Sequence, residues 1–493
     1  MKATHLLGMS VLSMMASIGL HASAAPHLSE GTAAFQPKQT PSSSIQARPM
    51  ATVEFAESPY RIESIGLSMQ LPAGSTTQLT RDGSKVTARV LAPDQTWIIN
   101  IESRETTSQR PLSTVVDAIR DQILGSVGVL NSDGTVARTM GRVIDRQQGL
   151  SLKGGPAERV YVQVPGPSGP ASVKGYTVFN PEPERYITFE LLTPEPAFAQ
   201  VRPLYETVIA TVAFEDPSRL SAARQAAVAM GVQLMSQMSL DDYRAVIERY
   251  SPKGKQRWDR LFAPSSVGSD DQELGYKRIT AWVGQRGELD SSREKARWRS
   301  ADRQSGYLLK LEARVLDGSG IYDTVSMFFL SEDRTSEAWL IRSSRREGGV
   351  VATWTETGAR EGSSMTVRID PPDGQSQTIK PSIEGEGYLS RLEAVLLPDL
   401  LMSKRIPAEY GFYTYQSESG SIRLRRDVLE QPEDRSGLWV LTTRLNDDSP
   451  AQVTSMNERG DLIRSMLSEG RVWEPTQLDR LVSLWRRAGL PMD

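Results

Sequence analysis

The residue types that move protons and hold metals near neutral pH are almost missing from this chain. Its 493 residues include no cysteine and three histidines, His5, His21 and His27. Ser-His-Asp and Cys-His catalysis both need an imidazole. Zinc, copper and haem sites are built largely on His or thiolate ligands. A folded body that starts beyond His27 has only carboxylate, Lys, Tyr, Ser/Thr and Arg chemistry left. No residue is therefore assigned a catalytic, cofactor-binding or metal-ligating role, and no cofactor is expected.

The remaining motifs are weak. Ser292-Arg293-Glu294-Lys295 matches the S-x-x-K pattern in which a lysine activates a serine, but the supporting Ser-Asp-Asn and Lys-Thr-Gly motifs do not follow. Arg459-Gly460-Asp461 reads as a turn between two strands. Asp370 with Asp373, and Asp447-Asp448, are loop carboxylates; calcium takes oxygen ligands of this kind, but neither stretch has the D-x-D-x-D-G spacing. Arg342, Arg345 and Arg346, and Arg423, Arg425 and Arg426, read as solvated strand-end charges that discourage edge pairing.

The N-terminus reads as an export signal. Met1-Lys2 is followed by a short apolar run, Leu6 to Leu20, and by Ala22-Ser23-Ala24, the small-x-small pattern of a cleavage site. Residues 1–24 are expected as a signal peptide, placing the protein in the periplasm or outside the cell. The run is shorter than the about 20 residues that span a bilayer, and no later stretch is long and apolar enough, so no transmembrane segment is expected after cleavage. Lys+Arg 57 against Asp+Glu 60 gives a net charge of −3, which offers no basic excess for nucleic acid.

Length predicts two to four domains at about 100–200 residues each. Residues 25–52, with Pro41-Ser42-Ser43-Ser44, bury too little apolar surface to order and read as a leader. Residues 53–215 read as an α+β domain. Its strands fall near 65–72, 86–91, 97–101, 157–164, 173–179 and 186–192. Val116, Ile119, Ile123 and Val127 step by three or four, as one face of a helix does. Residues 216–262 read as a helical connector. Residues 273–493 read as an antiparallel β-rich domain with turn signals between strands and two helices, 388–402 and 476–488. The fold class expected is α+β: an N-terminal α/β sandwich with an antiparallel sheet, a helical connector, and a C-terminal curved antiparallel sheet packed on helices. The apolar helices of that last part are expected on one face of its sheet.

The first domain opens with Leu67-Ser68-Met69-Gln70-Leu71-Pro72 and closes on a helix ending Val208-Ile209-Ala210-Thr211-Val212-Ala213-Phe214. In this order it resembles the PsbP/DcrB/Mog1-like family. That resemblance implies an assembly or binding module, and carries no set of functional residues over. The C-terminal region resembles the LolA/LolB/LppX-type periplasmic lipoprotein carriers, which implies an apolar pocket between sheet and helices. Trp282, Trp339, Trp354 and Trp439, with Leu392 and Leu396, are the candidate lining residues of such a pocket. The function expected is an exported, non-enzymatic binding or assembly protein of the cell envelope that holds a lipid or a protein partner. The alternative is a cell-wall glycan hydrolase, whose chemistry needs only two carboxylates about 5–9.5 Å apart.

Overall fold

The computed structural model describes residues 54–491, apart from segments 83–84, 106–109, 127, 131–135, 140, 167–169, 183–184, 254–256, 266–269, 319, 384, 434–436 and 468–469. The expected signal peptide 1–24 and leader 25–52, with the three histidines, lie outside the described residues, as does the turn signal at Asp133-Gly134. The fold is α+β. The chain divides into two compact units between Ala222 and Ala223, within the helix Pro217–Ser236, most of which belongs to the second unit.

The first unit runs β1 (Tyr60–Ile62), β2 (Leu67–Met69), β3 (Thr76–Asp82), β4 (Lys85–Leu91), β5 (Ile98–Glu105), α1 (Leu112–Ser126), β6 (Gly128–Leu130), β7 (Val136–Thr139), β8 (Arg142–Leu152), β9 (Gly155–Val164), β10 (Ser172–Glu182), β11 (Arg185–Pro194), α2 (Phe198–Ala210) and β12 (Ala213–Phe214). Seven strands form an antiparallel sheet in the order β3-β4-β5-β11-β10-β9-β8. Val86, Ala88 and Val90 on β4 alternate inward with exposed or half-exposed neighbours, as a strand with one covered face does. β9 is buried almost continuously because both its faces are covered. Val201, Tyr205, Val208 and Ile209 of α2 pack one side. Val116 and Ile123 of α1 pack Val160, Val162 and Val178 on the other. The helix expected through Phe214 stops earlier: Ala213 and Phe214 pair with Ser68 and Leu67 of β2 instead.

The second unit follows as α3 (Pro217–Ser236), α4 (Leu240–Arg249), β13 (Arg257–Ala263), β14 (Gln272–Gln285), β15 (Ser305–Asp317), β16 (Gly320–Ser331), β17 (Ser336–Glu347), β18 (Val350–Glu361), β19 (Ser364–Asp370), β20 (Gln377–Ile379), α5 (Arg391–Lys404), β21 (Ala408–Gln416), β22 (Ser421–Glu430), β23 (Leu438–Arg444), β24 (Gln452–Asn457), β25 (Leu462–Met466), β26 (Val472–Thr476) and α6 (Leu478–Arg487). Residues 257–262, expected as helical connector, are part of β13, because Arg257, Asp259 and Leu261 alternate on one face of a sheet that pairs with β14 and β26.

All fourteen of these strands form one antiparallel sheet, running from β20 through β13 and β26 to β21. The sheet curls until its edges approach each other. Ser382 bridges to Ser364 at one end of the sheet, and Tyr388 to Tyr413 at the other. Inside lies α5, with Leu392, Leu396, Leu397, Leu400 and Leu401 at or near zero exposure. A helix that is apolar all round needs cover on all sides, and the curled sheet supplies it. α3 lies over the closing strand β21: a Cβ on Gly231 would meet the Gly411 carbonyl at 2.2 Å, so only glycine allows this approach.

The helices do not share one face of the sheet. α5 packs against Leu309, Leu311 and Ile341 in the lumen, whereas Trp485 of α6 meets Tyr276 on the opposite face of β14. Alternation explains it, since Tyr276 and Ile279 point to opposite sides of one strand. The outward face also carries ion pairs, Lys310–Glu312 at 2.7 Å and Arg346–Asp323 at 2.9 Å. A face crossing lipid carries an apolar band there instead. No described helix is long and apolar enough to cross a membrane.

Two outcomes follow from this packing. Leu397→Ala removes buried methyl groups from the centre of the lumen and should destabilise the protein by about 2–5 kcal/mol, read as a lower urea midpoint at unchanged slope. Asp242 starts α4 in a capping box with Ser239. A hydrogen bond from Lys404, joined by the Ser239 backbone, holds its carboxyl at about 2. A carboxyl lowered on folding contributes stability above its ordinary value of about 4 and loses it as pH falls through the folded value. The stability gap between wild type and Asp242→Asn should therefore be full at pH 6 and narrow as pH drops from about 4 toward 2. A gap independent of pH would contradict the assignment.

Candidate functional site

Two polar constellations fix α5 in the lumen. At its N-terminus, Ser390 and Glu393 form a reciprocal capping box. Arg334 reaches Glu393 at 2.6 Å, and Tyr243 donates its hydroxyl to the same carboxylate. Burial raises a carboxyl, but the Arg334 charge and the Tyr243 and Ser390 hydrogen bonds outweigh it and bring Glu393 below its ordinary range. Glu337 accepts the backbone N–H of Arg391 at 3.0 Å and the Arg360 guanidinium at 3.0 Å. The Arg391 guanidinium donates to Glu356 and Ser417. Acidic groups belong at a helix N-terminus, where they face the positive end of its dipole.

Further along α5, Pro398 leaves the Ala394 carbonyl without its helical partner. Arg425 takes that place, donating Nη1 to the Ala394 carbonyl at 3.0 Å. Its other nitrogens grip Asp427 at 2.7 and 2.9 Å, and Thr443 donates to the same carboxylate. Arg425 is 4% exposed and Asp427 0%, so Arg425 is not the solvated strand-end charge expected of it. Strand alternation turns Arg425 into the lumen and Arg426 outward to Glu409. The i,i+2 spacing of Arg425 and Asp427, which puts both on one face, was the signal available in the sequence.

Beside this pair, between α5 and strands β13, β14 and β23 to β25, lies a cavity of about 120 Å³. Tyr250, Arg257, Asp259, Lys277, Asp399 and Arg425 line it with Thr443, Gln452, Thr454 and Ser465, and its apolar wall is Ile279, Leu311, Val395 and Pro398. Arg257 pairs with Asp259 at 3.1 Å and donates to the Tyr250 hydroxyl at 3.2 Å. Tyr250 in turn donates to Asp399 at 2.6 Å, and Arg249 meets Asp399 at 2.8 Å. Lys277 lies 3.6 Å from Asp259 and 4.3 Å over the Trp473 ring. On β24 and β25, Gln452 donates to Ser465 at 2.7 Å, and Thr454 and Ser465 share a hydrogen bond at 2.8 Å. Burial pushes the Lys277 ammonium below its ordinary range against the pull of Asp259. Burial likewise pushes the Asp399 carboxyl up, opposed by Arg249 and Tyr250.

The six residues expected to line an apolar pocket lie elsewhere. Trp339 is buried, donating Nε1 to Glu356. Trp439, Leu392 and Leu396 are buried members of the main core. Trp282 is half-buried and bonded to Glu288, and Trp354 is half-buried at the Ser343 register of β18. None of the six borders the cavity.

The weak motifs resolve locally. Ser292 is exposed and donates to Asp290 at 2.6 Å, while Lys295 lies over the Trp298 ring, so the S-x-x-K match brings no serine–lysine pair together. Arg459-Gly460-Asp461 is a turn, with the Asn457 side chain accepting from the Arg459 and Asp461 N–H groups. Asp370 is held by Arg368 and Ser376, and Asp447 by Arg224. Among the described residues no group of three His, Cys, Asp or Glu side chains is placed to hold a metal ion.

No family model and no curated protein matches the sequence. Among solved structures, a β-barrel-like protein from Brucella abortus, belonging to a domain of unknown function, is similar at 11% identity. The match covers 45% of this chain and 95% of that one, with a TM-score of 0.30. Cyanobacterial PsbP from Synechocystis is similar at 13% identity over 34% of this chain and 98% of its own, with a TM-score of 0.25. A tail fibre of Staphylococcus aureus phage P68 is similar at 8% identity, over 83% and 71%, with a TM-score of 0.12. Similarity at this level carries no argument about function.

The Arg425–Asp427 pair yields a test of the site's framework. Asp427→Ala leaves a buried, unpaired guanidinium and should cost about 3–5 kcal/mol in chemical denaturation. Arg425→Met with Asp427→Leu should regain part of that loss, because neither charge is then stranded. A double variant no better than Asp427→Ala would contradict the pairing.

Proposed function

We propose that this chain is an exported, non-enzymatic binding or assembly protein of the cell envelope, and that the lumen cavity beside α5 holds a small polar ligand. The observation that carries the reading is the cavity itself: about 120 Å³, bordered by Arg257, Lys277, Arg425, Asp259 and Asp399. Buried charges are retained where they are paired or where they recognise something. Export rests on the Leu6–Leu20 run with Ala22-Ser23-Ala24. A non-enzymatic role is favoured by the lack of cysteine and the confinement of histidine to the first 27 residues.

The size of the cavity weighs against an acyl-chain carrier. Small-molecule pockets run to about 300–1,000 Å³, and α5 occupies the space that lipid would need. A protein partner remains compatible, bound through the outer surface. The glycan-hydrolase alternative takes Asp259 and Asp399 as its carboxylates, since both border the cavity, but both are held by arginines, Arg257 and Arg249.

The test is a thermal-shift screen of the processed protein against polar compounds of benzene size or less, with parallel lipid extraction. A ligand at about a hundred times its Kd adds about 2.7 kcal/mol of stability. At least one compound should raise Tm saturably, and no stoichiometric lipid should be extracted. Stoichiometric lipid would return the carrier reading. Peptidoglycan turnover lost in Asp399→Asn would establish the hydrolase.

A further inference from the structure

We infer that the tip of the β17–β18 hairpin seats on a lipid bilayer surface, with Val350 and Val351 entering the headgroup region. This contact is independent of the lumen cavity and of any ligand held there.

Val350 and Val351 are the most exposed large apolar side chains among the described residues, at 70% and 60%. They open β18 directly after Gly348 and Gly349, both at positive φ, 56° and 82°. Two central residues at positive φ make the tight turn that suits the twist of a hairpin. A Cβ added to either glycine would meet nothing within 4 Å, so the tip stands clear of the other described residues. Neighbours along a strand point to opposite faces. Val350 therefore shares one face with Ala352 and the half-buried Trp354, which extend its apolar stripe, and Val351 points out on the other face. A flat protein surface covers one face of a hairpin and leaves the other in water. A fluid apolar medium covers both at once.

Arginines stand where headgroups would be. Ala352 pairs with Arg345 and Val351 with Arg346, so each face of the hairpin carries one guanidinium beside or just behind its valine. An arginine in that position lays its stem along apolar groups and keeps its charge among polar ones. Both arginines have carboxylates, Arg345 with Glu347, and Arg346 with Asp323 at 2.9 Å. The side chains in these pairs are between 30% and 45% exposed, and surface pairs of that kind are weak, so a phosphate can share either arginine. The adjoining β15–β16 turn adds Asp317 at the same end of the sheet. The tip thus has no basic excess: the valines carry the attachment, and anionic lipid is not required.

The experiment is co-flotation of the processed full chain with phosphatidylcholine vesicles, with and without phosphatidylglycerol. Two valines make a weaker anchor than a single acyl chain, so binding should be reversible and grow over the millimolar range of lipid. It should change only a few-fold when phosphatidylglycerol is added. Burying one valine is worth about tenfold in partition or more. Val350→Asp with Val351→Asp should therefore lower vesicle binding at least about tenfold, while Val283→Asp, at an exposed apolar position on β14, should not. In the unaltered protein, vesicles should slow hydrogen exchange across residues 345–352, a readout that stands even if the double variant fails to fold. Absence of flotation, or equal flotation of the double variant, would overturn the inference. Flotation that needs phosphatidylglycerol and vanishes at high salt would assign the contact to surface charge and overturn it too. Self-association without vesicles, lost in the double variant, would give the tip to a second copy of this chain instead. None of these failures touches the cavity, which the thermal-shift screen tests separately.

Discussion

Helix α5 has no polar face to turn toward water. Ten of its fourteen residues are buried, and the rest of the second unit is arranged around that constraint. An antiparallel sheet of ordinary size covers one side of a helix. Covering every side takes a sheet long enough to curl round, which fourteen strands achieve, with Ser382 bridging to Ser364 and Tyr388 to Tyr413. Three charged residues of α5 are buried with it, and each has a partner: Arg391 on Glu356, Glu393 on Arg334, Asp399 on Arg249 of α4. Removing one partner of such a pair costs far more than the pair contributes, which makes the plug specific in orientation as well as stable.

The same arrangement creates the cavity. Pro398 cannot donate to the Ala394 carbonyl, and Arg425 enters the lumen to satisfy it. Asp427 follows Arg425 because a buried guanidinium needs a counter-charge. Across the lumen, the exit of α4 brings Tyr250 against Asp399, and the polar inward positions of β13 and β14 bring Arg257, Asp259 and Lys277. A stretch of wall lined by charges packs less densely against a helix than one lined by leucine, and the 120 Å³ space lies where those charges gather.

Much of the local structure was legible because it is written in short periods. The threefold and fourfold steps of Val116, Ile119 and Ile123 gave α1, and the turn signals after residue 273 gave an antiparallel β-rich region. What was not legible depends on contacts distant in sequence. β13 was hidden in a connector because its two neighbours, β14 and β26, include one more than 200 residues away. The opposite placement of α5 and α6 depends on which face of β14 each helix covers, and β14 offers an apolar or aromatic residue on both, Ile279 on one and Tyr276 on the other. The tryptophans were chosen as pocket candidates by type alone, and most tryptophans serve cores; Trp339 and Trp439 do so here. Among the residues that border the cavity, Arg257 forms an i,i+2 pair of opposite charge with Asp259, and Arg425 forms one with Asp427 behind it; such pairs on an unrecognised or supposedly solvated strand look like ordinary surface.

The account depends on α5 being a fixed part of the core and not a movable stopper. Native-state hydrogen exchange of its backbone amides, from Ala394 to Leu401, tests this directly. A fixed core helix exchanges only through global unfolding of its unit, so these amides should match the slowest of β15 and β16 in opening free energy. Exchange through a low-energy local opening, with the surrounding strands still protected, would mean that α5 leaves the lumen. The space would then suit a far larger ligand than the cavity admits.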